Sequence, residues 1–185
     1  LCCGHREWNL CFTNRLPFSW CQVQYRSTHA NLSFVATANG APYLQAIPHF
    51  YDSEPEHLGV ELKKLKNHLK KIASQQNGNV INKKTGRPIT ALVVMHTFGH
   101  PCQLSDLRNL ADEYGLPLIE DAAEALGSFY DDKHVGHWGD ITCLSFNGNK
   151  VITTGGGGAI LTPHKNLAER AKHLTTKAKV PHQWE

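Results

Sequence analysis

Two short stretches of this 185-residue chain carry residues whose types and spacing could do covalent chemistry. In "SFNGNKVITTGGGGAI", residues 145–160, Lys150 stands between a strand-like apolar run and four consecutive glycines. In "IEDAAEALGS", residues 119–128, Asp121 and Glu124 follow the strand-like run "LPLIED". Each has an ordinary explanation. A turn lysine is usually just solvated, and Asp121 could cap a helix beginning at Ala122. The functional alternatives are sharper. An aspartate at the carboxyl end of a buried strand is costly unless it meets a positive partner or several donors. A protonated aromatic nitrogen is such a partner, because an ion pair keeps the ring an electron sink. The glycines after Lys150 are not a phosphate loop of the GxxxxGK[ST] kind, since the lysine precedes them. They are not a dinucleotide turn either, since they lead into the strand-like "GAILT". What remains for Lys150 is imine formation with an aldehyde cofactor, where missing side chains would let a bulky ligand approach the backbone. Ser145, five residues earlier, could bond a phosphate.

The elements that would position these residues alternate. "SFVATANGA" before Pro42 predicts a short helix from Ser33 or Thr37 to Gly40. "AIPHFYD" at 46–52 predicts a strand interrupted by Pro48. Leu58, Leu62, Leu65, Leu69 and Ile72 recur at steps of three and four, which predicts an amphipathic helix over 58–73 with a lysine-rich outer face. "QQNGN" reads as a turn and "NKKTGRP" as a polar loop. "ITALVVM" at 89–95 is apolar and β-branched throughout, as a strand covered on both faces of a parallel sheet is. A helix follows over 104–114, with Ser105 and Asp106 as candidate caps and Gly115 as its stop. Strands are expected at 116–121, 141–146 and 158–162, and a helix at 166–174. This alternation predicts an α/β fold, three layers with a mostly parallel sheet flanked by helices. Ligands in such sheets bind at the carboxyl ends of strands, which selects Asp121 and the segment 145–150.

Composition bounds the alternatives. Hydrophobic content of 41% and charged content of 19% suit one globular domain with a real core. The net charge of +3 comes from scattered residues, and "KKLKNHLKK" at 63–71 reads as the wet face of a helix, so no nucleic-acid partner is expected. No apolar run approaches the ~20 residues of a membrane span, and the start lacks the order of a signal peptide. The 12 histidines are dispersed, with no HExxH pair, so no metal site is expected. Cys2, Cys3, Cys11 and Cys21 crowd the start and fit neither a zinc knuckle nor a compact disulfide framework, which points to a reducing, cytoplasmic setting. Residues 1–28 show no usable period and stay unassigned.

The combination of "LSFVATANGA", "HTFGHPCQLSDLRNLADEYGLP", "IEDAAEALGS", "GDITCLSFNGNKVITTGGGGAILT" and "LAERAKHLTT" resembles the DegT/DnrJ/EryC1/StrS sugar aminotransferase family over roughly residues 29–185. The resemblance implies pyridoxal 5'-phosphate as cofactor and the fold of the aspartate aminotransferase class. "SFNGNK" with "TTGGGG" is similar to the branch that aminates nucleotide-linked 4-keto-6-deoxy N-acetyl sugars. Carried over by position, Lys150 would form the imine and later shuttle a proton, and Asp121 would pair with the pyridine nitrogen. Glu124 would stand near the ring hydroxyl, where many relatives have glutamine. Ser145 would bond the phosphate, and Phe34 would stack on the ring. The resemblance implies a ping-pong transamination with glutamate as donor and a nucleotide sugar as acceptor, in a homodimer with shared active sites. It also implies that 29–185 is a partial cofactor-binding large domain, with the phosphate-holding turn upstream and the carboxy-terminal small domain absent. A truncated, non-catalytic remnant that binds cofactor weakly or not at all stays open as the alternative.

Overall fold

The computed structural model describes residues 26–44 and 46–175. Most of the unassigned stretch 1–28, and the chain end "KVPHQWE", lie outside the described residues. Eight strands form one sheet: β1 Arg26–Ala30, β2 Ile47–Tyr51, β3 Ala73–Gln76, β4 Asn79–Asn82, β5 Pro88–Met95, β6 Leu118–Asp121, β9 Ile141–Ser145 and β10 Gly158–Leu161. Its main path runs β10-β9-β6-β5-β1-β2, while β4 pairs with β5 and β3 with β4. The pairs β1–β2, β1–β5, β5–β6 and β6–β9 are parallel. β10 returns antiparallel on β9, and the β3–β4 hairpin joins β5 antiparallel. The expected largely parallel α/β sheet is therefore present.

Helices cover both faces, and the two-residue period of the strands shows which residues serve each. Leu92 and Val94 of β5, Leu118 of β6 and Leu144 of β9 join one core cluster. Into it pack α2 (Leu62–Ile72), through Leu65, Leu69 and Ile72, and α3 (Leu104–Tyr114), through Leu104, Leu107 and Leu110. Ala91 and Val93, Ile119, and Ile141 with Cys143 point the other way. There they meet Ala36 of α1 (Val35–Tyr43) and Leu167 of α4 (Lys165–Thr175). Each fully buried leucine contributes about 1.5–3 kcal/mol of transfer free energy, so the α2–α3 side is the larger source of stability. The lysines of α2 stay on its exposed outer face, as its period predicts.

Several boundaries differ from the sequence reading, each for a physical reason. β1 falls partly inside the stretch that showed no period, because it is covered on both faces while carrying polar residues. Thr28 and His29 are both buried, and the Thr28 hydroxyl donates to the Ala91 carbonyl at 3.3 Å. α1 begins after Phe34 and continues through Gly40 and Pro42, since its small residues let it lie close on the sheet. Pro48 sits within β2, where strand β1 is the one partner among the described residues, and an edge tolerates a missing N–H. Leu58 stands apart from α2 in a left-handed turn (φ 61°), and Glu61 caps the helix by accepting the Lys63 N–H. Neither Ser105 nor Asp106 caps α3, whose N-cap is Gln103 with no side-chain cap bond. Gly115 does end it, in the left-handed conformation.

"QQNGN" is the turn expected, with Asn77 and Gly78 both at positive φ, but polar residues on either side hid the two strands it joins. A second hairpin, β7 (Phe129–Tyr130) with β8 (Lys133–His134), turns through Asp131 and Asp132 and was missed because two-residue strands are too short to show a period. Cys143 is disulfide-bonded, which the cysteine spacings did not forecast, whereas Cys102 is a free, buried thiol. Among the described residues no helix is long and apolar enough to cross a membrane.

Candidate active site

A cavity of about 270 Å³ opens at the carboxyl ends of β5, β6 and β9, where the open-sheet rule places ligands. Its wall includes all five residues selected from sequence: Phe34, Asp121, Glu124, Ser145 and Lys150. They come from four places in the chain. Phe34 is the N-cap of α1, Asp121 is the last residue of β6, Glu124 lies three residues later, and Ser145 and Lys150 end and follow β9.

Asp121 is held by three strands. β6 lies between β5 and β9, with Met95 and Cys143 as its partners in register. The residue is 1% exposed. Its Oδ1 accepts the Ala123 N–H at 3.1 Å and its Oδ2 accepts the Thr37 hydroxyl at 2.5 Å. Burial pushes the carboxyl up, to about 6. The Thr37 and Ala123 bonds and the charges of His96 and Lys150 act against that rise. The two readings of Asp121 thus overlap. It secures the next segment through Ala123, but that segment is a pair of turns (Ala125 N–H to Ala122, Ser128 N–H to Ala125) and not the expected helix. The acid is left strongly desolvated at a cavity wall.

Lys150 occupies a turn, its N–H bonded to the Asn147 carbonyl, yet its side chain is drawn inward. The Nζ donates to Glu124 Oε1 at 3.3 Å, and the side chain is only 17% exposed. The other Glu124 oxygen, Oε2, accepts the Phe98 N–H at 3.0 Å. Ser145 is partly exposed, and its Oγ accepts the Asn147 N–H at 3.4 Å. Phe34 is exposed at the rim, and its N–H points to the Met95 sulfur at 3.3 Å.

The glycine run shapes the return of the chain from the Lys150 turn. Gly155 and Gly157 hold positive φ (82° and 104°), and no glycine of the run borders the cavity. The Phe146 N–H meets the Gly157 carbonyl at 2.8 Å, closing the excursion that carries Lys150 and returning the chain into β10. Left-handed backbone at the return accounts for Gly155 and Gly157.

Sequence reasoning missed three contributors. Thr37, a buried threonine in α1, supplies a donor to Asp121; a lone threonine in a helix gives no signal. Phe98 borders the cavity from a left-handed turn. Glu120, fully buried beside Asp121 but on the opposite face, gathers His96 Nε2 (3.0 Å), the Thr142 hydroxyl (3.0 Å) and the N–H groups of Gly136 and Gly139. That network ties the 136–139 segment to the sheet. Away from the cavity, Glu54, Glu56 and His57 cluster in a turn where Glu54 accepts the other two backbone N–H groups at 2.7 and 2.8 Å.

A model of the DegT/DnrJ/EryC1/StrS aminotransferase family matches residues 28–185. Over 151 residues the chain is 36% identical to the protein named putative pyridoxal phosphate-dependent aminotransferase EpsN of Bacillus subtilis, covering 82% of this chain and 36% of that one. Over 152 residues it is 36% identical to GDP-perosamine synthase of Escherichia coli O157:H7, covering 82% and 37%. The chain spans little more than a third of the length of these relatives. Among solved structures, an aminotransferase TlmJ from Streptoalloteichus hindustanus superposes with a TM-score of 0.78 at 28% identity, covering 100% of this chain and 44% of that one.

Proposed function

The chain belongs to the DegT/DnrJ/EryC1/StrS aminotransferase family, whose members depend on pyridoxal phosphate, and from that premise we propose a role for its cavity. It forms the cofactor-binding part of an enzyme that moves an amino group from glutamate to a nucleotide-linked 4-keto-6-deoxy sugar. The observation that carries this reading is the meeting of Lys150 and Asp121 on one cavity, close enough for the lysine charge to act on the acid.

The residues fit the cofactor chemically. Asp121 is a desolvated carboxyl pushed up to about 6, and each of its oxygens accepts a single bond from protein. A cationic N–H arriving in the cavity would relieve that carboxylate, as a protonated pyridine nitrogen does. Lys150 would hold the aldehyde carbon, Ser145 the phosphate, Glu124 the edge bearing the ring hydroxyl, and Phe34 one ring face. Bound there, pyridoxal phosphate supplies an electron sink for the pair left when a C–H bond next to nitrogen is broken. Lys150, once free as an unprotonated amine, carries that proton between carbon atoms. Asp121 keeps the proton on the ring nitrogen, and Glu124 orients Lys150 between turnovers. Over the two halves, glutamate leaves as 2-oxoglutarate and the sugar's oxo oxygen is exchanged for an amine.

A homodimer is the assembly this reading implies. Val151 and Ile152, directly after Lys150, are 71% and 57% exposed, apolar surface of the kind a second copy covers.

Borohydride trapping tests the assignment. The cofactor-loaded protein should show visible absorbance that reduction bleaches, leaving the label on the peptide that contains Lys150. Lys150→Ala should take no label. Equal labelling of the variant would remove Lys150 from its role, and a chain that never labels would be the cofactor-free remnant.

A further inference from the structure

Phe98 is an unusual choice for its position. It lies in a 3-10 turn, Thr97–Gly99, with left-handed backbone (φ 52°, ψ 26°), where a bulky side chain is strained and glycine or asparagine is at ease. Burial does not compensate, since Phe98 is 72% exposed. The backbone around it is nonetheless pinned. Glu124 accepts the Phe98 N–H at 3.0 Å, and the Ser128 hydroxyl donates to the Gly99 carbonyl at 2.7 Å. A Cβ at Gly99 would come within 2.9 Å of the Glu124 carbonyl, so the turn is also closed to a larger neighbour. Neither local conformation nor the core explains an aromatic ring here. Strain of this kind at a cavity edge marks a group whose use lies outside the chain.

We propose that Phe98 is the platform on which the sugar ring of the acceptor substrate rests, a specificity-determining residue of the transaminase site. This rests on the transaminase reading above. Its geometry selects the sugar over the nucleobase. One Glu124 carboxylate spans the Lys150 amine and the Phe98 backbone. A sugar carbon that comes within covalent reach of a group held on Lys150 therefore has its ring beside Phe98, while the base lies beyond a diphosphate and a ribose. A 6-deoxy hexose offers a face of C–H groups extended by a methyl, which an aromatic face covers while excluding water.

Single-turnover absorbance on the cofactor-loaded full chain separates the two halves of the reaction. L-glutamate probes the donor half, and GDP- and UDP-linked 4-keto-6-deoxy hexoses probe the acceptor half. Phe98→Ala should leave the donor half within about twofold and weaken apparent acceptor binding tenfold or more, with Phe98→Tyr restoring most of it. Phe98→Gly should lose the acceptor step equally while its melting temperature stays unchanged or rises, because the left-handed strain is relieved. An unchanged acceptor half in Phe98→Ala, equal losses in both halves, or a loss explained by dissociation of a dimer would each overturn the platform. An unsubstituted chain that loads no cofactor and takes no amine would instead overturn the transaminase reading, and the platform with it.

Discussion

Asp121→Asn should reverse a penalty that can be read from the structure. The carboxyl is moved from 3.8 to about 6 in the folded chain, chiefly by burial. A raised acid means that the folded state binds the proton more tightly than the unfolded one. Stability is therefore greatest below the unfolded value and is lost as pH climbs through the folded value. At ~1.36 kcal/mol per unit, the full loss is about 3 kcal/mol, of which about 2 accumulates between about pH 4.5 and pH 7.5. Asparagine does not titrate, so whatever constant cost its amide carries, its stability relative to the parent should improve by about 2 kcal/mol across that window. Urea unfolding of the cofactor-free protein at several pH values measures this, as a relative shift of the midpoint by about 1 M. Parallel curves for the two proteins would show that no desolvated charge sits at Asp121. A relative loss for asparagine as pH rises would mean that the acid is stabilised and not strained.

Two further perturbations follow from the same neighbourhood. Thr37→Val removes the donor to Asp121 Oδ2 and should drive that carboxyl a further ~1–2 units upward, with Thr37→Ser restoring it; carbon-13 titration of the Asp121 carboxyl reads this directly, and an unmoved midpoint would refute it. Glu120→Ala strips the acceptor from His96, Thr142 and two backbone N–H groups and should cost about 3–5 kcal/mol in chemical denaturation, so a cost below about 1 kcal/mol would show that water or rearrangement replaces the carboxylate.

What the sequence revealed follows from which forces leave a periodic mark. β5 was visible because both of its faces are covered, and α2 and α3 because one face of each is. β1 was invisible because Thr28 and His29 are buried although polar, which breaks the pattern. One hairpin was hidden by polar residues, although Asn77-Gly78 marked its turn, and the other by strands only two residues long. The cavity residues were found through unusual placement: a lone lysine before glycines, an acid ending an apolar strand. Thr37, Phe98 and Glu120 act through tertiary geometry, a hydroxyl, a turn angle and a buried acceptor, and none of these is spelled by neighbours in the chain.

Glu120 and Asp121 are chemically near-identical neighbours with unrelated duties, sorted only by which side of β6 each one faces. Composition cannot enforce that assignment, but registration can. An in-frame codon inserted between Leu118 and Glu120 would turn glutamate to the ligand face and aspartate to the scaffold face, keeping every functional residue while scrambling the address of two. Natural length variation should accordingly stop short of this strand, and of the Lys150 excursion as well, whose base is closed by Phe146 and Gly157 and whose length sets where Nζ arrives.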